Sequence, residues 1–70
     1  MKVKSAPLKL EDINVGDEVY FKTSAIHNYD LYWKVIEKTD QALRVEIKEM
    51  GANDTIYIFP EWVVYCNSMA

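Results

Sequence analysis

The clearest pattern in the chain is a strict alternation of apolar and charged residues within positions 42–49. The order is Leu43, Arg44, Val45, Glu46, Ile47 and Lys48. Successive side chains of a β-strand point to opposite faces, so this period of two predicts a strand with one buried and one solvated face. A helix would scatter the same apolar side chains around its circumference. We therefore predict a strand over residues 42–49.

Residues on both sides of this strand also favour β-structure. Residues 32–39 are rich in aromatic and β-branched side chains, which suit a pleated surface. The adjacent apolar pair Val35 and Ile36 interrupts the alternation there, and either a bulge or a strand covered on both faces would explain the interruption. Turn-forming residues lie at 39–42, between these two strands, and at 50–54, after the second. The connections at both places are therefore predicted to be hairpins.

The remaining strands are predicted at residues 18–23, 55–59 and 63–66. Pro60 ends the strand at 55–59, because proline cannot donate a hydrogen bond to a ladder. Residues 60–62 are predicted to form one short helical turn, with proline at an early position where its missing donor costs nothing. The predicted interior is aliphatic apart from one ring, and it consists of Val19, Phe21, Val35, Leu43, Val45, Ile47, Ile56, Ile58 and Val64.

Five short strands in meander order gain by curling and closing, because closure removes unpaired edges. The order resembles that of the small SH3-like barrel. Residues 13–21 resemble the first strand of such barrels, the segment 24–31 resembles their large first loop, and residues 59–64 resemble the helical turn before their last strand. The resemblance implies an all-β, five-stranded SH3-like barrel. An OB-like barrel is the alternative, although it normally needs a longer chain.

The chain has 70 residues, which is enough for one domain. Residues 1–12 are predicted to be a flexible lead-in and residues 13–70 the barrel domain. A chain of this length buries only about 60% of its unfolded surface, so its margin of stability is thin. Self-association is one natural way to add stability.

Composition argues against several function classes. Cys66 is the only cysteine and His27 the only histidine, so no internal disulfide and no zinc site of the usual type is expected. No apolar run resembles a secretory signal or a membrane helix. We expect a soluble, cytoplasmic protein with no cofactor, no metal and no membrane partner. No nucleophile motif or phosphate-binding glycine loop is present, so we do not expect an enzyme.

Aromatic residues exceed what one small core must hold: five Tyr, two Trp and two Phe. Tyrosine and tryptophan are effective interface anchors, and exposed apolar patches usually mark a partner. We therefore predict a non-catalytic module that binds a protein partner, or a second copy of itself, through rim aromatics and the long loop 24–31. The candidate partner-binding residues are Tyr20, His27, Tyr29, Tyr32, Trp33, Tyr57 and Trp62.

Nucleic-acid binding is the alternative function. The formal charge of −3 argues against it, because nucleic-acid binders usually present a basic field to the phosphates. A local patch would have to combine the N-terminal lysines with aromatic side chains that stack on bases. The residues for such a patch are Lys2, Lys4, Lys9, Tyr29 and Trp33.

Overall fold

A computed structural model describes residues 2–49 and 51–69, with only the backbone of Ala52. Half of the chain lies in strands of one antiparallel sheet, so the predicted all-β class is confirmed. The strands are β1 (Lys2–Ser5), β2 (Glu18–Phe21), β3 (Trp33–Lys38), β4 (Leu43–Glu49), β5 (Ala52–Ile58) and β6 (Val63–Ser68). Two short 3-10 turns, Leu10–Asp12 and Pro60–Trp62, precede β2 and β6. The second of these is the helical turn predicted before the last strand.

The sheet order is β1-β6-β2-β3-β4-β5, which makes β1 and β5 the two edges. The prediction of a closed, five-stranded barrel is therefore wrong in both closure and strand number. The sixth strand comes from the predicted lead-in, where Lys2–Ser5 pairs antiparallel with β6. A four-residue strand with two lysines has little apolar content, so its sequence carries no periodic signal that would mark it as a strand.

Two register shifts adjust the sheet. One lies between Val35 and Glu37 on β3, and it favours the bulge over the other explanation offered for the adjacent pair Val35 and Ile36. The other lies where β2 meets β6, since Tyr20 pairs with Tyr65 while the next residue, Phe21, pairs with Val63. This second shift turns Val63 into the core, whereas Val64, predicted to be interior, is only half-buried.

β5 begins earlier than predicted. The predicted strand was 55–59, with residues 50–54 as a turn, but β5 spans Ala52–Ile58 and pairs with β4 from the Glu49–Ala52 pair onward. The connection is thus only residues 50–51. Gly51 has a φ of +83°, a conformation that glycine adopts freely, and Met50 lies outside the described residues.

One face of the sheet carries the hydrophobic core. Seven of the nine predicted interior residues are buried, and the other two, Ile56 and Val64, are half-buried. Leu8 and Ile13, from the segment between β1 and β2, also belong to this core. The buried apolar residues are Leu8, Ile13, Val19, Phe21, Trp33, Val35, Leu43, Val45, Ile47, Ile58, Val63 and Cys66.

Two lysines hold the first 3-10 turn against the sheet. The ammonium of Lys38, at the end of β3, donates to the carbonyl oxygens of Leu10 and Ile13 at 3.0 and 2.9 Å. Lys4, on β1, donates to the carbonyl oxygen of Asp12 at 2.6 Å. The carbonyl of Leu10 also accepts the N–H of Ile13, so the lysines add a second donor to Leu10 and supply side-chain donors to Asp12 and Ile13 at the end of the turn. Within residues 2–49 and 51–69, no helix has the length and apolar character that crossing a membrane requires.

Candidate functional site

Three tyrosines form a continuous row on the side of the sheet opposite the core. Tyr65 lies on β6 and Tyr20 opposite it on β2, and Tyr32 directly precedes β3. The ring of Tyr20 lies 6.4 Å from that of Tyr65 and 5.8 Å from that of Tyr32, centroid to centroid. Tyr65 is 44% exposed and the other two are half-buried. We call these three residues the tyrosine face.

Tyr65 was not among the predicted site residues. The register shift between β2 and β6 brings Tyr65 directly opposite Tyr20. The alternation around residues 63–66 did not reveal this partner, since cross-strand register is a non-local property.

The long loop 24–31 is attached to the tyrosine face. The phenol of Tyr20 donates a 2.6 Å hydrogen bond to Asp30 Oδ1 in that loop. The bond favours the neutral phenol, and so it raises the pKa of Tyr20 above its ordinary value, with burial and the negative charge of Asp30 acting in the same direction. Tyr20 therefore joins two of the predicted contact regions, the rim aromatics and the loop.

Asn28 organises the tip of this loop. Its side-chain amide donates to the carbonyl oxygen of Phe21, and its side-chain oxygen accepts the amide N–H of Asp30. Its backbone carbonyl accepts hydrogen bonds from the N–H of Leu31 and from Nε1 of Trp33. A turn with one tightly bonded asparagine at its start holds the following two residues in place.

Tyr29 and Asp30, the central residues of that turn, have φ values of +58° and +56°. Two consecutive residues with positive φ, closed by the bond from Leu31 to Asn28, form a type I′ turn. Residues other than glycine rarely adopt this backbone conformation, which costs each of them about 1–2 kcal/mol. The contacts of the two side chains compensate for that cost.

Tyr29 makes contacts on three sides and remains 40% exposed. Its ring stacks on Trp33 with centroids 6.1 Å apart, and the ring of His27 meets it edge-on at 4.8 Å. Its phenol donates a 2.8 Å hydrogen bond to Asp54 Oδ2 on β5, which raises the pKa of Tyr29. His27 and Tyr29, both predicted site residues, therefore form one cluster on the loop.

Trp33 is not part of the exposed surface. It is only 1% exposed, and its ring packs edge-on against Phe21 at 5.4 Å. Its indole N–H is satisfied by the carbonyl of Asn28. Trp33, a candidate partner-binding residue, lies on the core face, because β3 alternates with Trp33 and Val35 inward and Lys34 outward. Trp33 instead supports Tyr29 from below.

The last two predicted site residues lie in separate places. Tyr57 is 54% exposed on β5, with the guanidinium of Arg44 5.9 Å from its ring centroid. Trp62 is half-buried in the second 3-10 turn, with the ring of Phe59 packed edge-on against it at 5.0 Å. Within the described residues, neither ring stacks on a ring of the tyrosine face.

The residues of the nucleic-acid alternative are not gathered into one exposed platform. Trp33 is buried, and the ammonium of Lys4 is bonded to Asp12. The charged residues on the outer face alternate in sign across the strands, as in the row formed by Glu18, Lys34 and Glu46. A groove of about 230 Å³ beside Tyr32 is lined by this mixture of acidic and basic side chains.

A buried acid and thiol form a second polar centre, which the sequence analysis missed. Asp17 is 1% exposed and its carboxylate accepts hydrogen bonds from the N–H of Asn14 and Met69 and from the Cys66 thiol. Burial, reinforced by the negative charge of Asp17, raises the pKa of the Cys66 thiol to about 11. A thiol that stays protonated is a poor nucleophile.

This centre is separate from the single histidine of the chain. His27 contacts Tyr29, whereas Cys66 bonds to Asp17. No group of three or more potential metal ligands occurs in the ranges 2–49 and 51–69. The polar centre around Asp17 has one local signal in the sequence, the spacing from Asn14 to Asp17. An aspartate at the end of a tight turn often bonds back to the backbone.

Comparisons with known proteins add no relative to this description. A scan against protein-family models, a search of curated proteins and a search of solved structures each found no match to the chain. The function must therefore be argued from the surface of the molecule itself.

Proposed function

We propose that this protein is a non-catalytic interaction module that binds a protein partner through the tyrosine face and the adjoining loop. The observation that carries the proposal is the row Tyr65, Tyr20 and Tyr32 on the side of the sheet away from the core. The core on the opposite face is already filled by twelve buried residues. Three contiguous rings are therefore available for contact, and tyrosine is enriched among the residues that dominate binding energy.

The surroundings of the tyrosine face suit a protein partner. Outward-facing charges near it alternate in sign, with Lys34 beside Glu18 and Glu46. A rim of mixed charge around apolar rings is the usual anatomy of a protein interface. The formal charge of −3 and the alternating signs do not provide the basic field that phosphate binding needs.

The strand connectivity supports the resemblance to SH3-like domains as part of this proposal. β2 to β5 form a meander, and β6 returns after a 3-10 turn to lie beside β2. We propose that this is SH3-like connectivity in a sheet that stays open and carries an added edge strand. Domains of this connectivity are small scaffolds for binding surfaces, which agrees with the proposed role.

Cross-linking at chosen positions tests the proposal. A photoreactive phenylalanine analogue replaces Tyr65 in one variant and Val15 in a matched control, since Val15 is 59% exposed but lies in the turn before β2. We expect a protein cross-link from position 65 and none from position 15. Tyr65→Ser should reduce capture of the same protein by at least about tenfold, whereas Tyr65→Phe retains the ring and the capture.

Two results would contradict the proposal. The first is equal cross-linking of one protein from positions 15 and 65, because the tyrosine face would then play no special part. The second is capture that nuclease abolishes and that weakens steeply with added salt, which is the behaviour of phosphate contacts. That second result would favour the nucleic-acid alternative with Lys2, Lys9 and Tyr29.

A further inference from the structure

The two edges of the sheet are built differently. β1 has four residues, two of which are lysines, and a proline follows it at position 7. Short length, lysine and proline are devices by which natural sheets prevent edge-to-edge pairing. The β1 edge is therefore protected against pairing with another strand.

β5 lacks these devices. It has seven residues and pairs with β4 through seven consecutive residue pairs without a register shift, so no bulge bends it away. It contains no proline and no lysine. Its one charged residue, Asp54, already accepts a hydrogen bond from Tyr29. A long, straight, nearly uncharged edge strand presents a row of backbone donors and acceptors to any strand of suitable register.

We propose that β5 pairs antiparallel with β5 of a second copy of this chain, around a two-fold axis at Thr55. In this register Thr55 lies opposite Thr55 of the second copy, and Asn53 lies opposite Tyr57. Thr55, Asn53 and Tyr57 are exposed on the outer face, so the new cross-strand pairs form without rearranging the core. Threonine pairs are favourable neighbours across antiparallel strands.

A second copy fits this edge because its chemistry is self-complementary. Any two-fold antiparallel pairing brings the same residues together twice, and here it places no like charges directly opposite each other. The only acid of the strand, Asp54, lies opposite Ile56 rather than another acid. The pairing also joins two small sheets, and within the described residues the single cysteine is free, so no disulfide stabilises the monomer. Oligomerisation is one of the ways in which such small domains gain stability.

This pairing uses a surface distinct from the tyrosine face, so either proposal can fail without the other. It leaves the tyrosine faces of both copies uncovered, on the outer side of one continuous twelve-stranded sheet. A partner with two matching surfaces would then bind both copies at once, with the gain in affinity that a shared scaffold provides.

Introducing a charge of either sign at Thr55 tests the proposal. Thr55→Lys places two lysines opposite each other at the two-fold axis, and Thr55→Glu does the same with two acids. We expect each variant alone to dimerise at least about tenfold more weakly than the wild type, and an equimolar mixture to recover the affinity as a heterodimer. Ser5→Lys on the β1 edge is the matched control, and it should leave dimerisation unchanged. Sedimentation equilibrium over a concentration series gives the dissociation constant for the wild type, for each variant and for the mixture.

Three results would overturn the proposal. A wild-type protein that stays monomeric at millimolar concentration has no such pairing. A dimer that Ser5→Lys weakens and Thr55→Lys does not must use another surface. Equal weakening in the Lys and Glu variants without recovery in the mixture would show that Thr55 is not opposite its counterpart. Circular dichroism of each variant establishes that the monomer remains folded.

Discussion

The thiol of Cys66 donates a hydrogen bond to the carboxylate of Asp17 across 49 positions of the sequence, with Sγ and Oδ2 3.6 Å apart. The bond connects the turn before β2 to the middle of β6. Asp17 is also held by the N–H of Asn14, and its own backbone carbonyl accepts the N–H of Val35 at 2.8 Å. The side chain and backbone of one buried residue therefore connect the turn before β2 with β3 and β6.

Replacing this buried acid should destabilise the fold. Asp17→Ala removes the acceptor of the N–H groups of Asn14 and Met69 and of the buried Cys66 thiol, and a hydrogen bond to a charged group contributes about 1.5–3 kcal/mol. We expect a decrease of about 2–4 kcal/mol in the free energy of unfolding, measured by urea titration. Asp40→Ala, in the exposed turn between β3 and β4, is the control. Equal losses in the two variants would contradict a special role for Asp17.

Cys66 should be unreactive in the folded protein at neutral pH. The pKa rises from 9.0 to about 11 because burial and Asp17 disfavour the thiolate. Native Cys66 should therefore react with a thiol reagent far more slowly than the urea-unfolded chain. Rapid native labelling at pH 7.5 would argue against the buried, protonated thiol.

The raised pKa of the Cys66 thiol also makes the free energy of unfolding depend on pH in the alkaline range. Folding favours the protonated thiol, so its contribution is fully present below pH 9, the pKa in the unfolded chain, and is lost as the pH rises through about 11. We expect the free energy of unfolding of the wild type to fall more steeply than that of Cys66→Ala across this window. Parallel pH profiles for the two proteins would count against the linkage.

The positive φ of Tyr29 predicts an inverted preference for glycine. Tyr29→Gly and Tyr29→Ala both remove the ring, but only glycine adopts φ +58° without strain. We expect the glycine variant to be more stable by about 1 kcal/mol. At Lys34, an exposed position within β3, alanine should instead be more stable than glycine by about 0.5–1 kcal/mol. Urea titrations of the four variants give the comparison, and the same order at both positions would disprove the left-handed turn.

The two raised tyrosine pKa values should respond separately to two aspartates. Asp30→Asn removes the negative charge beside Tyr20, so the pKa of Tyr20 should fall toward 10.0 while that of Tyr29 stays raised. Asp54→Asn should have the opposite selectivity. The ring resonances of the tyrosines, followed by NMR as pH rises, report each value. A variant that lowers both pKa values would indicate that the loop had lost its structure.

Lys38 is expected to contribute to stability despite its exposure. Lys38→Met removes the donors to the carbonyl oxygens of Leu10 and Ile13 while keeping the aliphatic stem. The expected loss in the free energy of unfolding is about 1 kcal/mol, because the ammonium is partly solvated in either case. Lys34→Met, which removes an outward lysine of the same strand, should be close to neutral. Chemical denaturation compares the two, and similar losses would contradict a capping role for Lys38.

Local patterns predicted most of the secondary structure and the core, because burial on one face of a strand leaves a period of two in the sequence. The bulge at Val35 and Ile36 and the 3-10 turn that begins at Pro60 were both predicted from neighbouring residues. β1 could not be found in this way. Its pairing with β6 depends on contact between distant parts of the chain, and four largely exposed residues carry no apolar alternation.

The candidate site was predicted less completely. Trp33 was predicted to bind a partner, yet it is the largest fully buried side chain among the described residues. Its amphipathic ring fits either environment, and only the acceptor supplied by Asn28 makes burial of its N–H favourable. The pairing of Tyr65 with Tyr20 depends on a register shift between strands far apart in sequence, which no local pattern encodes.

The position of β6 has a consequence for how the chain reaches this structure. β6 is the last strand in sequence order, but it lies between β1 and β2 in the sheet. β2 to β5 can associate by adjacent hairpins, whereas β1 has no strand to join until residues 63–68 arrive, with Lys2 opposite Ser68. Such non-local closure slows folding. Docking of this one segment is therefore the step that converts a four-stranded hairpin assembly into the complete sheet, and a chain that ends before it would lose two strands rather than one.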